Sequence, residues 1–133
     1  MADYKLTVAG LGPGDAGLIT REIWARIEAA EHILLRTRIH PTVEALDAAE
    51  ISYETYDAFY EEADDFDLLY ERIVDDLLTR VRESDVLYLV PGSPFVAERT
   101  VQLLRERAIE EGIPLEILPA MSFLEPLFAA LAL

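Results

Sequence analysis

A chain of 133 residues suits one domain, and a domain of this length buries about two-thirds of the surface its unfolded form exposes. It is 52% hydrophobic with 26 acidic and 11 basic residues, net charge −15, which excludes a disordered acidic tail and leaves a globular body with an acidic skin. That field repels nucleic-acid phosphates and anionic lipid headgroups, and the absence of cysteine removes disulfides, thiolate catalysis and cysteine zinc sites together.

Tyr4 to Gly10 (YKLTVAG) is a short β-rich run, stopped by Gly-Leu-Gly-Pro-Gly-Asp. Ile19, Ile23, Ile27 and Ala30 then recur at helical spacing, with Thr20 as N-cap and Glu22 in the first turn. His32 to Arg36 reads as a second strand and Pro41 to Ala49 as a short helix with Pro41 in its first turn. Ile51 to Tyr56 alternates like a third strand. The acidic stretch Asp57 to Asp67 reads as a solvated loop and helix start, with Glu61, Glu62 and Asp65 facing water and no metal site. From Phe66 to Val81 an i, i+3, i+4, i+7 apolar series, capped by Asp64 or Asp65, predicts a long helix. Trp24 and Tyr70, at helical spacing, read as core.

Val86 to Val90 is apolar throughout, the pattern of a central parallel strand covered on both faces, and ends at Pro91-Gly92-Ser93-Pro94. A helix from Phe95 to Glu111 is expected to bury Ala97, Val101, Leu104 and Ala108 and to stop at Gly112. Leu115 to Leu118 is a fifth strand. Ser122 and Glu125 then form an S-x-x-E capping box for a last apolar helix through Leu131. Strands alternating with helices in this way predict an α/β domain in three layers, a parallel sheet with helices on both faces. No apolar run approaches the ~20 residues of a membrane helix, and Met1 to Lys5 carries no signal pattern. A cytoplasmic protein without membrane or nucleic-acid partners is expected.

In open α/β sheets, ligands bind beyond the carboxyl ends of the strands. Three loops fall at that edge, Gly10 to Gly17, Pro91 to Pro94 and Pro119 to Ser122. Glycine allows close backbone approach and proline fixes the turn, so the three loops suit a cofactor held mainly by main chain. Taken alone, Gly12-x-Gly14-x-x-Gly17 matches a dinucleotide fingerprint. The glycines lie past the strand end, however, and Arg36-Thr37-Arg38 stands where an NAD enzyme wants an acid, which leaves an NADP-binding Rossmann domain as the lesser alternative. Arg36, Arg38 and His40 are also placed to meet an acidic substrate, or to serve as surface charge balance.

VAGLGPGDAGLIT, LVPGSPFVAERT and LPAMSFLEPLFAAL resemble, in order and spacing, three signature segments of the tetrapyrrole methylase superfamily, S-adenosylmethionine-dependent methyltransferases. LLRTRIHPTVEAL and YDAFYEEADDFDLLYERI resemble the subgroup fused to a MazG-type nucleotide pyrophosphohydrolase. The resemblance spans residues 1–133 and implies a five-stranded parallel sheet of order 3-2-4-1-5. It implies a second α/β domain beyond the point where this chain stops, S-adenosylmethionine in the cleft between the two, a small-molecule methyl acceptor, a homo-oligomer, and no activity for this half alone. Carried over by position, Pro13, Gly92, Ser93, Val96, Ser122 and Phe123 are the implied cofactor contacts. Ser93 and Ala120 depart from the Asp and Gly frequent there, and Arg36 occupies the neighbourhood of an acid that assists catalysis in uroporphyrinogen methylases, so no catalytic residue is assigned. The competing reading is a non-enzymatic regulatory or assembly domain.

Overall fold

The computed structural model describes residues 4–132; the start of the leading segment read above for a signal pattern, residues 1–3, lies outside them. Five strands, β1 (Leu6–Gly10), β2 (Ile33–Leu35), β3 (Glu54–Thr55), β4 (Val86–Val90) and β5 (Leu115–Leu118), form one sheet of order β3-β2-β4-β1-β5, parallel throughout. This is the topology expected. Interleaved are α1 (Arg21–Ala29), α2 (Val43–Ala48), α3 (Asp57–Glu62), α4 (Phe66–Arg80), α5 (Arg99–Glu111) and α6 (Leu124–Leu131).

The alternation of side chains along each strand divides the core in two. Val86, Tyr88 and Val90 face α4 and α5 together with Leu6 and Val8. Leu87 and Leu89 face α1 and α2 together with Ala9, Leu11 and Leu35. Because β4 is buried on both faces, all five of its residues are apolar. β3 shrinks to two residues at the sheet edge. Its neighbours Ile51 and Tyr53 still pack against the α1/α2 core, so the alternating pattern there is burial without a ladder.

Local chemistry sets several helix ends. Thr20 Oγ1 accepts from the Ile23 amide, and Asp65 Oδ1 accepts from the amides of Asp67 and Leu68, satisfying donors that a helix start leaves unpaired. Gly112, φ 67°, closes α5 in the left-handed conformation. Trp24 and Tyr70 are half-buried against the two cores, as core residues rather than platforms.

Four local expectations are corrected. Asp57–Glu62 is a helix, not a loop, because Phe59 and Tyr60 pack against the α4/α5 core. Phe66 stands outside that core, 66% exposed, its ring stacked on that of Tyr70. α5 begins at Arg99 rather than Phe95, and Ala97 is exposed with φ 54°; the chain turns away before Glu98 before the helix can start. The capping box does not form. Phe123 is the N-cap of α6, and Ser122 Oγ accepts from the nearer Leu124 amide at 3.2 Å.

Candidate functional site

The loops that follow β1, β4 and β5 meet over Gly10, the last residue of β1. A β-carbon there would overlap the carbonyl oxygen of Gly92 and stand 2.6 Å from the Ala120 methyl, so only glycine lets the three come together. Beyond it, Gly12 and Gly92 exchange both backbone hydrogen bonds, Gly12 N to Gly92 O at 3.1 Å and Gly92 N to Gly12 O at 2.8 Å. Both have positive φ, 79° and 65°. A β-carbon at Gly92 would meet nothing within 4 Å, which makes this the point where main chain faces open space.

Of the six residues singled out from sequence, Pro13 lies half-buried between Gly12 and Gly14 on the first loop. Ser93 is buried, with Oγ accepting from the Phe95 amide, and its carbonyl accepts from Val96 N–H. Its hydroxyl is thus part of the turn that shapes the loop. Ser122 is half-buried and Phe123 exposed at the start of α6. The Gly12–Gly92 bridge joins the first two loops, and Gly10 brings Ala120 of the third beside them. Among the described residues no hydrogen bond ties Ser122 or Phe123 to either of the other loops.

The segment after β2, read from sequence as possible substrate-facing charge, has other duties. His40 Nε2 lies 2.8 Å from Gly12 O, and Thr42 Oγ1 lies 3.0 Å from Gly14 O and 3.3 Å from Leu11 O. Arg36 reaches a buried acid, its Nε 3.4 Å from Glu98 Oε2. That nitrogen is within ion-pair distance yet lacks the alignment of a hydrogen bond. Arg36 Nη1 meets Tyr60 OH at 3.4 Å. Burial works against the Arg36 charge, but Glu98 leaves its pKa above the ordinary value.

Glu98 Oε1 accepts from Thr100 Oγ1 at 2.6 Å, and the Thr100 hydroxyl in turn accepts from Tyr88 OH at 2.9 Å. Burial pushes the Tyr88 hydroxyl well up, so it stays a donor. This chain of polar groups, from β4 through the start of α5 to the end of β2, was not visible in the sequence. Its members lie up to 64 positions apart and carry no local motif. Asp57 fixes the same edge by accepting from Thr37 Oγ1 at 2.6 Å and Arg38 N at 2.9 Å. Although burial opposes it, the Thr37 and Arg38 hydrogen bonds hold its pKa below the usual carboxylate range.

A hollow of about 630 Å³ lies at the opposite, amino-terminal edge of the sheet, among Lys5, Arg26, His32, Glu83 and Asp85. Its position has no relation to the three glycine loops. Among the described residues no group of three or more His, Cys, Asp or Glu side chains is placed to hold a metal ion. None of the helices described is long and apolar enough to cross a membrane.

Residues 5–133 match the family of Tetrapyrrole (Corrin/Porphyrin) Methylases. The chain belongs to that family. It is 41% identical over 127 residues to the uncharacterized protein YabN of Bacillus subtilis, covering 96% of this chain and 26% of YabN. It is 31% identical over 125 residues to a siroheme synthase of Tolumonas auensis, covering 91% of this chain and 25% of that protein. Among solved structures, the uroporphyrin-III C-methyltransferase of Thermus thermophilus superposes with a TM-score of 0.70 at 26% identity, over 90% of this chain and 48% of that one. A structure of that enzyme complexed with S-adenosylhomocysteine gives 0.67 at 23% identity and shares the fold. This chain therefore spans about a quarter of the curated relatives it matches and about half of the solved enzyme.

Proposed function

We propose that this chain forms one wall of an S-adenosylmethionine site in a methyltransferase acting on a small molecule. A second domain of the complete protein supplies the opposite wall. The observation that carries the reading is the convergence of three loops over Gly10, with Gly92 at positive φ beside open space. A backbone cradle of this kind accepts a flat, polar ligand through main-chain groups, and a side chain would fill it. The cofactor, when bound, supplies an electrophilic sulfonium methyl. The chain's own part is to bind and orient through Pro13, Gly92, Ser93, Val96, Ser122 and Phe123. None of these is a proton acceptor suited to general base chemistry, so any base comes from the acceptor side.

The family and the enzymes it superposes on support this reading. The small share of each relative that the chain covers supports the division of the site. So does physics: orienting two reactants accounts for about 7–11 kcal/mol of barrier reduction, and a single wall cannot hold both or exclude water. The isolated chain is therefore inactive and binds the cofactor weakly. The two stretches that resemble MazG-fused members support a reading of the complete protein as one of that subgroup, with a pyrophosphohydrolase domain elsewhere in it.

Calorimetry with S-adenosylhomocysteine tests the site. The complete protein gives clear binding and the isolated chain little heat. In the complete protein Gly92→Val abolishes binding by filling the cradle. Gly92→Ala carries much of the backbone strain, roughly 1–2 kcal/mol, but intrudes less and helps separate strain from filling. No binding by the complete protein, or full binding by Gly92→Val, removes the assignment.

A further inference from the structure

We propose that His40 and Thr42 are a positioning pair. They hold the cofactor-facing loop at Gly12 to Gly14 in register with Gly92, without themselves touching the cofactor; the proposal rests on the methyltransferase reading above. His40 Nδ1 accepts from the Thr42 amide at 3.1 Å. With that nitrogen acting as acceptor, the ring proton sits on Nε2, which donates to Gly12 O at 2.8 Å. Gly12 O thus receives two donors, His40 Nε2 and Gly92 N, and both its lone pairs are used. The fully buried Thr42 hydroxyl spans Gly14 O and Leu11 O. Pro13 is held between two pinned carbonyls.

The behaviour of Thr42 separates this from ordinary packing. It stands at the N-cap of α2, whose first amides, Val43 and Glu44, already donate to His40 O and Pro41 O, and its hydroxyl makes no cap bond. The hydroxyl is directed to the glycine loop, 28 and 31 positions away in sequence. A buried hydroxyl that its own helix start leaves uncommitted, directed to two carbonyls of a distant segment, marks that segment as the part it holds. The ring of His40 works with it, since its acceptor nitrogen orients Thr42 and its donor nitrogen reaches Gly12.

Four variants of the complete protein test this. Thr42→Val removes the hydroxyl and keeps the shape. His40→Asn retains a short acceptor for the Thr42 amide but cannot reach Gly12. Thr42→Ser and His40→Gln restore the bond to the loop. The readouts are S-adenosylhomocysteine affinity by calorimetry, the melting temperature of the ligand-free protein, and amide exchange at Gly12 and Gly92. Losing one such bond corresponds to about fivefold to tenfold in an equilibrium. Thr42→Val and His40→Asn are expected to weaken binding by about that factor and to speed exchange at Gly12 and Gly92. Exchange in β4 and the melting temperature stay as in the unsubstituted protein, and the Ser and Gln variants recover most of the affinity. Unchanged affinity in Thr42→Val and His40→Asn overturns the proposal. So does a loss that tracks a fall in melting temperature and is not rescued, since that describes a purely structural pair. If the unsubstituted protein does not bind S-adenosylhomocysteine, the methyltransferase reading fails and the positioning role with it. Local exchange changes in the variants would then show a loop clamp with no cofactor duty.

Discussion

The carbonyl oxygen of Gly92 lies against the α-carbon of Gly10 so closely that no β-carbon fits between them. The contact is backbone to backbone, so neither side can yield by rotating a side chain. Gly10→Ala is expected to cost about 1–3 kcal/mol, the range for overpacking a filled interior. Urea denaturation measures it. A loss below a few tenths of a kcal/mol would mean that the loops do not meet as described.

Glu98, 4% exposed, is the buried counter-charge of Arg36 and the acceptor for Thr100. Removing one partner of a buried pair costs about 3–5 kcal/mol, and because Arg36 is partly open to water the loss for Glu98→Ala belongs near the lower end. Glu98→Gln keeps an acceptor for Thr100 and should lose less. Chemical denaturation of the two variants side by side checks this; a Glu98→Gln variant as stable as the unsubstituted chain would mean that the charge pair contributes nothing.

α6 has no buried residue, and Leu127, Phe128 and Leu131 are 42%, 44% and 58% exposed, with Phe123 at 52% beside them. Contiguous apolar surface on an isolated chain tends to find a partner. We expect self-association in light scattering, strengthened by salt that screens the charge of −15. Leu127→Glu with Leu131→Glu should return a monomer. A monodisperse monomer of the unsubstituted chain at high concentration would contradict this.

Glu116 accepts from both Arg26 nitrogens, at 2.8 and 3.1 Å, and from Lys5 at 3.1 Å. The Arg26 and Lys5 hydrogen bonds hold its pKa at about 2, below the ordinary 4.5. Because the folded value is the lower one, its contribution is fully present above pH 4.5 and fades as the pH falls toward 2. The carboxylate is a third exposed, and screening limits the effect to roughly 1 kcal/mol or less. Unfolding of Glu116→Gln between pH 6 and pH 3, ~3 units in all, should show the gap from the unsubstituted chain narrowing as acid is added. A constant gap would mean that the ion pairs add nothing.

Much of the layout was legible because its causes are local. The all-apolar run Val86–Val90 marks a strand covered on both faces, Asp65 and Gly112 mark helix ends, and the glycines and prolines mark the three loops. Residue pattern alone marked β4 as central, while the full strand order came from the family resemblance and agrees with the structure. Where two local signals competed, the sequence misled. Ser122 and Glu125 have capping-box spacing, yet the turn at Phe123 shifts the helix start by one residue. The acidic surface of Asp57–Glu62 hid Phe59 and Tyr60, which anchor that helix to the core.

Only the folded chain shows what each loop residue does. Gly12, Gly14 and Gly17 stand out as a motif, but the glycine in the tightest backbone contact is Gly10, whose neighbour Gly92 is 82 positions away. His40 and Arg36 look alike in sequence, as basic residues after a strand, and the fold gives one to a carbonyl and the other to a buried acid. Composition, periodicity and caps act within a few residues and can be read along the chain. Close approach, burial of charge and cross-loop hydrogen bonds depend on which distant segments the parallel sheet brings side by side, and exist only once it has formed.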